Sequence, residues 1–282
     1  MAQSSRSGHG RVVGLFGAGM LVGAMIVSPA GAHVTRSVKH LIGKHLTKAF
    51  YTQAQADAAF LTPAEGDARY RLNGCGSDPN QVMVQVGPTC IDRYEASVWS
   101  SPTGGVQHGV SGDDYPCDDN GEDCAGVIYA RSVPGVTPSR FITWFQAQQA
   151  LANSGKRLPT NAEWQTAVAG TPDSITCEIN GFSVANTGSR PGCVSNWGAN
   201  DMVGNLWEWV ADWDEQADDC TVWEADYGSD FACFGDPTPS RFPGALIRGG
   251  DYDDVSNAGS FAVYVLGRPS NSNGFLGFRG AR

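Results

Sequence analysis

Histidine is scarce in this chain. There are five in 282 residues, at positions 9, 33, 40, 45 and 108, so the part beyond residue 45 holds His108 alone. A two-histidine metal site is therefore not available there, and no nucleophile–base pair can be read either. Paired C-x₂₋₄-C spacings are missing, which removes a structural zinc site. Basic charge is also in short supply: 19 Lys and Arg stand against 29 Asp and Glu. Such a surface argues against nucleic acid as a partner. Glycine, by contrast, is abundant at 36 residues, which favours turns and loops over a helical bundle. With 41% hydrophobic and 10% aromatic residues the chain can still build a packed core.

Residues 1–32 differ from the rest. MAQSSRSGHGR is polar and basic, Val12–Val27 is a 16-residue apolar run, and Ala30-Gly31-Ala32 follows as a small-x-small cleavage signal. A membrane-spanning helix needs about 20 apolar residues. The segment reads as a cleaved signal peptide, with an uncleaved membrane anchor, and so a membrane tether, as the alternative. Either way the body of the protein is exported, secreted or held at the cell surface. Without Arg6 and Arg11 of the leader, 17 basic residues face 29 acidic ones, a net charge of −12.

All eight cysteines follow the leader: Cys75, Cys90, Cys117, Cys124, Cys177, Cys193, Cys220 and Cys233. An even count in an exported chain predicts a disulfide framework. Eight cysteines allow on the order of a hundred pairings. Joining sequence neighbours is the simplest: Cys75–Cys90, Cys117–Cys124, Cys177–Cys193 and Cys220–Cys233. Each closed loop would add about 3 kcal/mol in the chain-entropy picture, less for the short one.

Residues 33–72 contain no Cys or Trp and one Pro. They carry a ten-residue repeat, YTQAQADAAF (51–60) and LTPAEGDARY (61–70). The repeat resembles those of phage tail-fibre stalks and related bacterial surface proteins; a helical linker with chance similarity is the other reading. A stalk would lift the next domain off the membrane and could gather three chains. From Asn73 on, Cys, Trp, Gly and Asp recur to the end, which places one domain at 73–282.

Two helices can be read in that domain. In TWFQAQQALANSG, Thr143 caps, Trp144, Ala147, Ala150 and Leu151 share a face, and Gly155 stops the helix. In RLPTNAEWQTAVAG, Thr160 and Glu163 form a capping box, Trp164 and Val168 share a face, and Gly170 ends it. NLWEWVADW alternates instead. Trp207, Trp209, Ala211 and Trp213 point one way and Glu208, Val210 and Asp212 the other, which predicts a strand with one buried face. The acidic loop DDYPCDDNGEDC (113–124) reads as a solvated turn closed by Cys117–Cys124, though it could hold an ion.

YEAS (94–97), the 143–155 helix, GKRLPTNAEW (155–164), DMVGNLWEWVADW (201–213), IRGGDY (247–252) and GFRGAR (277–282) occur in that order. Together they resemble the formylglycine-generating-enzyme, or sulfatase-modifying-factor, domain over roughly residues 85–282. The resemblance implies an α+β, C-type-lectin-like fold, with a small twisted antiparallel sheet, two helices and much irregular chain, here stapled by disulfides.

Family members that oxidise a substrate cysteine hold copper on two cysteines just after RGG. Those places fall here at Asp254 and near Gly259, and soft Cu(I) wants thiolates. The resemblance therefore implies no copper and no oxidase site. Sulfoxide synthases with this domain add a His-rich helical domain, for which this chain lacks the histidines. Calcium is different. The family segment matching DMVGNLWE binds Ca²⁺ through two side chains and two carbonyls, which carry over to the Asp201 and Glu208 side chains and the Gly204 and Leu206 carbonyls. All are oxygen ligands suited to a hard cation; otherwise Glu208 is the exposed face of a strand. A second family site would use Asn186 and the Thr187 carbonyl, but GSRPGC after them lacks the expected acid.

The same domain serves as a display scaffold in variable proteins of diversity-generating retroelements, with ligand-binding residues between RGG and GFR. From Asp251 to Phe275 this chain has three Asp, two Tyr, four Ser and three Asn, 12 of 25 positions. Tyr offers contact area at low entropic cost, and small polar residues adapt their hydrogen bonds. Asp251, Tyr252, Asp253, Asp254, Ser256, Tyr264, Ser270, Asn271 and Ser272 are the expected surface for an unknown protein or surface ligand. An enzyme of the family with non-copper chemistry is the competing class, and a purely structural decoration domain the third.

Overall fold

The computed structural model describes residues 74–215, 229–233, 243–265 and 268–282. The leader, the 33–72 repeat and Cys220 lie outside the described residues. Those described belong to one compact unit, 67–282.

Three small sheets carry the fold. β1 (Met83–Val86) and β2 (Thr89–Asp92) form an antiparallel hairpin. β3 (Ser97–Ser101) lies between β4 (Gly104–His108) and β5 (Tyr129–Arg131), antiparallel to both. The largest sheet uses β6 (Trp207–Glu215), β7 (Ala232–Cys233), β8 (Pro243–Arg248), β9 (Val263–Val265) and β10 (Leu276–Phe278), in the order β10-β6-β8-β9-β7. Its centre, β6-β8-β9, is antiparallel, and each edge gains a parallel strand. The parallel edge matters. It sets Leu276 beside Trp207, Gly277 beside Glu208 and Phe278 beside Trp209, so that GFRGAR runs along the strand of NLWEW.

Both helices form where their caps place them. α1 (Trp144–Asn153) starts at Thr143, whose hydroxyl accepts the Gln146 N–H while the Gln146 side chain accepts the Thr143 N–H. α2 (Asn161–Ala167) has the same reciprocal box between Thr160 and Glu163. Each box satisfies two amide donors that the first turn leaves unpaired.

β6 departs from the expected one-sided burial. Trp207, Glu208, Trp209 and Val210 are all buried. The sheet has a hydrophobic cluster on each face: Val210, Leu246 and Val265 pack with Trp164 of α2, while Trp207, Trp209 and Ile247 pack with Ala147 and Leu151 of α1. Alternation thus sorts the first half of β6 between two cores, and the end from Trp213, expected on the buried face, runs into solvent.

Three disulfides staple the irregular chain, Cys75–Cys90, Cys117–Cys124 and Cys177–Cys193, with Cα–Cα distances of 5.4, 5.1 and 4.8 Å. The sequence-neighbour rule gives these three pairs, and no cysteine among the described residues is free. The fourth expected pair needs Cys220 and lies outside them. The 113–124 loop is a turn. Asp123 is the one carboxylate grouped with Cys117 and Cys124, whose sulfurs bond each other and offer no thiolate. No helix among the described residues is long and apolar enough to cross a membrane.

Candidate functional site

The stretch after RGG is held by a buried bracket. Arg248 ends β8, and its Nη1 donates to the Ala262 and Phe261 carbonyls at 2.8 and 3.2 Å. Its guanidinium lies 4.6 Å from the Trp164 ring centroid and also bonds the Gln165 side chain. Burial holds its pKa down at about 10. Gly250 follows with φ 82°, and a Cβ there would lie 2.5 Å from the Ala258 backbone. That position needs glycine for both conformation and space.

The next residues turn inward rather than outward. Asp251, expected at the surface, is buried at 7% exposure. Its Oδ1 accepts the Asp253 N–H at 2.8 Å, and its own N–H donates to Asp254 Oδ2 at 2.9 Å. These local bonds satisfy the Asp251 amide and one carboxylate oxygen, so a residue type common on surfaces can lie inside. Asp253, Ser256, Ser270 and Asn271 are exposed, and Tyr252, Asp254, Tyr264 and Ser272 are half-buried. Backbone bonds tie the stretch to the scaffold: Gly181 N–H to Tyr252 O at 2.6 Å, Val255 N–H to Ile179 O at 2.7 Å and Tyr252 N–H to Asn205 O at 3.2 Å.

A cavity of about 270 Å³ opens beside this turn. Trp207, Phe231, Tyr264 and Phe275 supply aromatic walls, and Asp251 and Asp254 supply carboxylates. Phe231 meets Trp207 and Tyr264 edge-on, at centroid distances of 6.4 and 5.3 Å. The Trp207 side chain hydrogen-bonds Asp254. Burial raises Asp251 to about 7, helped by Asp254 and Asp253, although the Asp253 N–H pulls the other way. Asp254 is raised as well, mainly by burial. Of the nine expected binding residues, the cavity gathers Asp251, Asp254 and Tyr264. The signal for its aromatic walls lay in the WEW motif, which holds Trp207; Phe231 and Phe275 carry no sequence pattern that sets them apart.

Asp254 and Gly259 stand where the resemblance would put the family's copper cysteines. Asp254 precedes a 3₁₀ turn, Val255–Asn257. Gly259 is buried, and a Cβ on it would come within about 2 Å of the Asp230 carboxylate. Asp230 accepts the Phe261 N–H at 2.6 Å, and burial raises it to about 7. A carboxylate thus fills the space a side chain at 259 would need.

The segment expected to hold calcium sits at the other end of the bracket. Glu208 is buried, not the exposed face of a strand. Trp164 Nε1 donates to its Oε2 at 2.7 Å, and Arg279 Nε donates to both carboxylate oxygens at 2.9 and 2.7 Å. Asp201 is buried, accepts the Gly188 N–H at 2.6 Å and is raised to about 6 by burial. Glu95, of YEAS, is buried beside them and raised by burial and by the Asp201 and Glu208 charges. Its Oε2 accepts from Asn205 Nδ2 at 2.5 Å, while Oε1 has no partner. Three carboxylates therefore crowd the Arg279 guanidinium, and Arg190 acts on Asp201 as well. In the second segment, Asn186 Oδ1 accepts from the Thr137 hydroxyl at 3.1 Å.

Residues 180–282 match the family model of the sulfatase-modifying factor enzyme 1-like domain. A hercynine oxygenase of Mycolicibacterium smegmatis is 31% identical over 100 residues, covering 29% of this chain and 23% of that protein. The formylglycine-generating enzyme of Streptomyces coelicolor is 27% identical over 173 residues, covering 50% of this chain and 51% of its own. The matched regions thus span about a quarter to a half of these relatives' length. Among solved structures, a Major Tropism Determinant P3c variant aligns at 22% identity with a TM-score of 0.45, covering 72% of this chain and 52% of that one. Over residues 180–282, this chain is thus similar to the sulfatase-modifying factor enzyme 1-like domain.

Proposed function

We propose that the chain is an exported ligand-binding protein built on a formylglycine-generating-enzyme-like scaffold, with its binding surface in 251–275. One observation carries this reading: the cavity is lined by Asp251, Asp254, Asn257, Tyr264, Asn273 and Phe275 of that stretch, and the copper-cysteine places hold Asp254 and Gly259. Neither can bind Cu(I) as a thiolate does. Retroelement diversification would act on the exposed positions, Asp253, Ser256, Ser270 and Asn271, while the bracket stays fixed. The test is a substitution library across 251–275, sorted separately for folded display and for binding to candidate surface ligands. Exposed positions should accept changes with full display and altered binding. Loss of display at most of them would mean the stretch is core. Neighbouring DNA with a reverse transcriptase and a near-copy of the 251–275 coding region would support diversification.

The second reading, an enzyme of the family with non-copper chemistry, draws on the raised carboxyls Asp251 and Asp254 in the cavity. A carboxyl near neutrality can move a proton. Among the described residues no serine, threonine, cysteine or lysine lines the cavity, which keeps this reading second.

We also propose a calcium ion near Asp201 and Glu208, with the Gly204 and Leu206 carbonyls. Its support is the unpartnered Glu95 Oε1 and the excess of buried carboxylate over guanidinium in that cluster. Hard oxygen donors suit Ca²⁺. Trimerisation and membrane tethering through the N-terminal segments remain proposals on the sequence alone.

A further inference from the structure

The cavity beside the RGG turn combines two features that seldom meet by chance. Its walls are aromatic: Trp207, Phe231, Tyr264 and Phe275. Its polar side is acidic, with Asp251 and Asp254 lining it and Asp253 next to them. Among the described residues, the charges that bear on Asp251 are Asp254 and Asp253 and the one that bears on Asp254 is Asp253, all acids. Buried carboxylates without a cation are costly. Aromatic faces carry negative charge above the ring and attract cations.

We propose that this cavity takes an organic cation, an alkylammonium or guanidinium group carried by the ligand, between the two aspartates and the aromatic walls. The inference rests on the binding-surface reading and names the chemistry that the surface recognises. Size and geometry favour an organic over a metal cation. A volume of about 270 Å³ holds a charged head with a short apolar stem, below the usual range of about 300–1,000 Å³ for whole drug-sized ligands. The three aspartates do not bring oxygens together within 4.8 Å of one another, as a cluster of metal ligands among the described residues would. An ammonium with its stem, by contrast, can touch separate carboxylates and ring faces at once. The Oδ1 of Asp251 already serves the Asp253 amide, so its second oxygen is the one left to meet the ligand.

The test uses probes matched in shape and different in charge. Choline and its neutral isostere 3,3-dimethylbutanol, with butylammonium and butylguanidinium beside butanol, are titrated into the full chain. The readout is the NMR shift of the Trp207 indole N–H. Saturable shifts with the cations and not with the neutral partners are expected. Choline against butylammonium then separates a quaternary from a primary or guanidinium source. Asp254→Asn and Phe275→Ala should each weaken cation binding by about tenfold. Glu122→Gln, on an exposed residue of the 113–124 loop that does not line the cavity, should change it little, and an unchanged amide spectrum confirms folding. Equal binding of the neutral isosteres overturns the cation and leaves the cavity as an apolar binding site. Shifts with Ca²⁺ at this indole that displace choline, with no effect of Phe275→Ala, would assign a metal instead and also overturn it. If no probe shifts the indole, the inference fails, and the display library decides the binding-surface reading separately.

Discussion

Arg279 and Glu208 form an ion pair with both side chains out of water, at 0% and 1% exposure. Around it close the three motifs that sequence reading had kept apart. Glu208 comes from NLWEW, Arg279 from GFRGAR, and Trp164 Nε1, from GKRLPTNAEW, donates to the same carboxylate at 2.7 Å. Arg279 Nη1 and Nη2 also donate to the Asp92 and Asn200 carbonyls at 3.0 and 2.9 Å. Removing one partner leaves the other charge buried and unpaired. Arg279→Met is therefore expected to lose roughly 3–5 kcal/mol of stability, measured by urea unfolding. Ser256→Ala, on an exposed residue, should stay within about 0.5 kcal/mol.

Calcium would act on the same cluster from the other side. Adding Ca²⁺ to chelated protein should raise Tm. A ligand at 100 times its Kd adds about 2.7 kcal/mol by mass action. Asp201→Asn should abolish the rise without unfolding the chain, because an amide oxygen can still accept the Gly188 N–H. An unchanged calcium response in that variant would remove Asp201 from the site.

The disulfides give a direct mass measurement. Alkylation without reduction should label no cysteine. Reduction should lower Tm, because the loops closed by Cys75–Cys90 and Cys177–Cys193 span 15 and 16 residues and each constrains the unfolded chain by about 3 kcal/mol. Two labelled cysteines in the unreduced protein would contradict the framework.

Much of the fold was legible because short-range chemistry writes it. The boxes at Thr143 and Thr160 need only residues three apart, and cystines between neighbours need only short loops. What was not legible depends on long-range pairing. Glu208 reads as an exposed strand residue until β10 lays Arg279 against it, and the two are 71 residues apart. Asp251 reads as surface, since no local pattern says that it lies inside. The cavity's aromatic wall had to be assembled from Trp207, Phe231 and Phe275, which lie in three separate stretches. The RGG and GFR bracket, by contrast, could be located from its motifs, and Arg248 is buried and bonded as a scaffold residue.

Formylglycine chemistry provides a sharp negative test. The purified protein, with or without copper, should leave a CxPxR peptide unchanged, because Asp254 and Gly259 supply no thiolate. Restoring cysteines should not create the activity either. At 259 the new side chain would meet the Asp230 carboxylate, so Asp254→Cys with Gly259→Cys is expected to fold poorly. Conversion of the peptide by the wild-type protein, followed by mass spectrometry, would overturn the absence of oxidase chemistry.

The last expectation joins the cavity to pH. Burial puts Asp251 at about 7 and Asp230 at about 7, and Asp201 at about 6, whereas unfolded aspartates titrate near about 3.9. Between those values the folded chain binds more protons than the unfolded one. Stability should therefore fall as pH climbs from about 4 to about 7. Glu163 runs the other way: its Arg157 partner holds it at about 2, so its contribution is present above its unfolded value and is lost only in strong acid. A cation in the cavity reverses the trend locally. It needs ionised Asp251, so its affinity should rise as pH increases through about 7, and by linkage its stabilising effect should be larger above neutrality than below. Among the described residues the charged groups facing Asp251 are Asp253 and Asp254, both acids, and neither can supply the opposite slope. Choline titrations at about pH 5.5 and about pH 8, with Asp251→Asn as the comparison, measure it. Affinity that is flat across this range in the wild type, or a slope that survives in Asp251→Asn, would show that Asp251 is not the group that meets the cation.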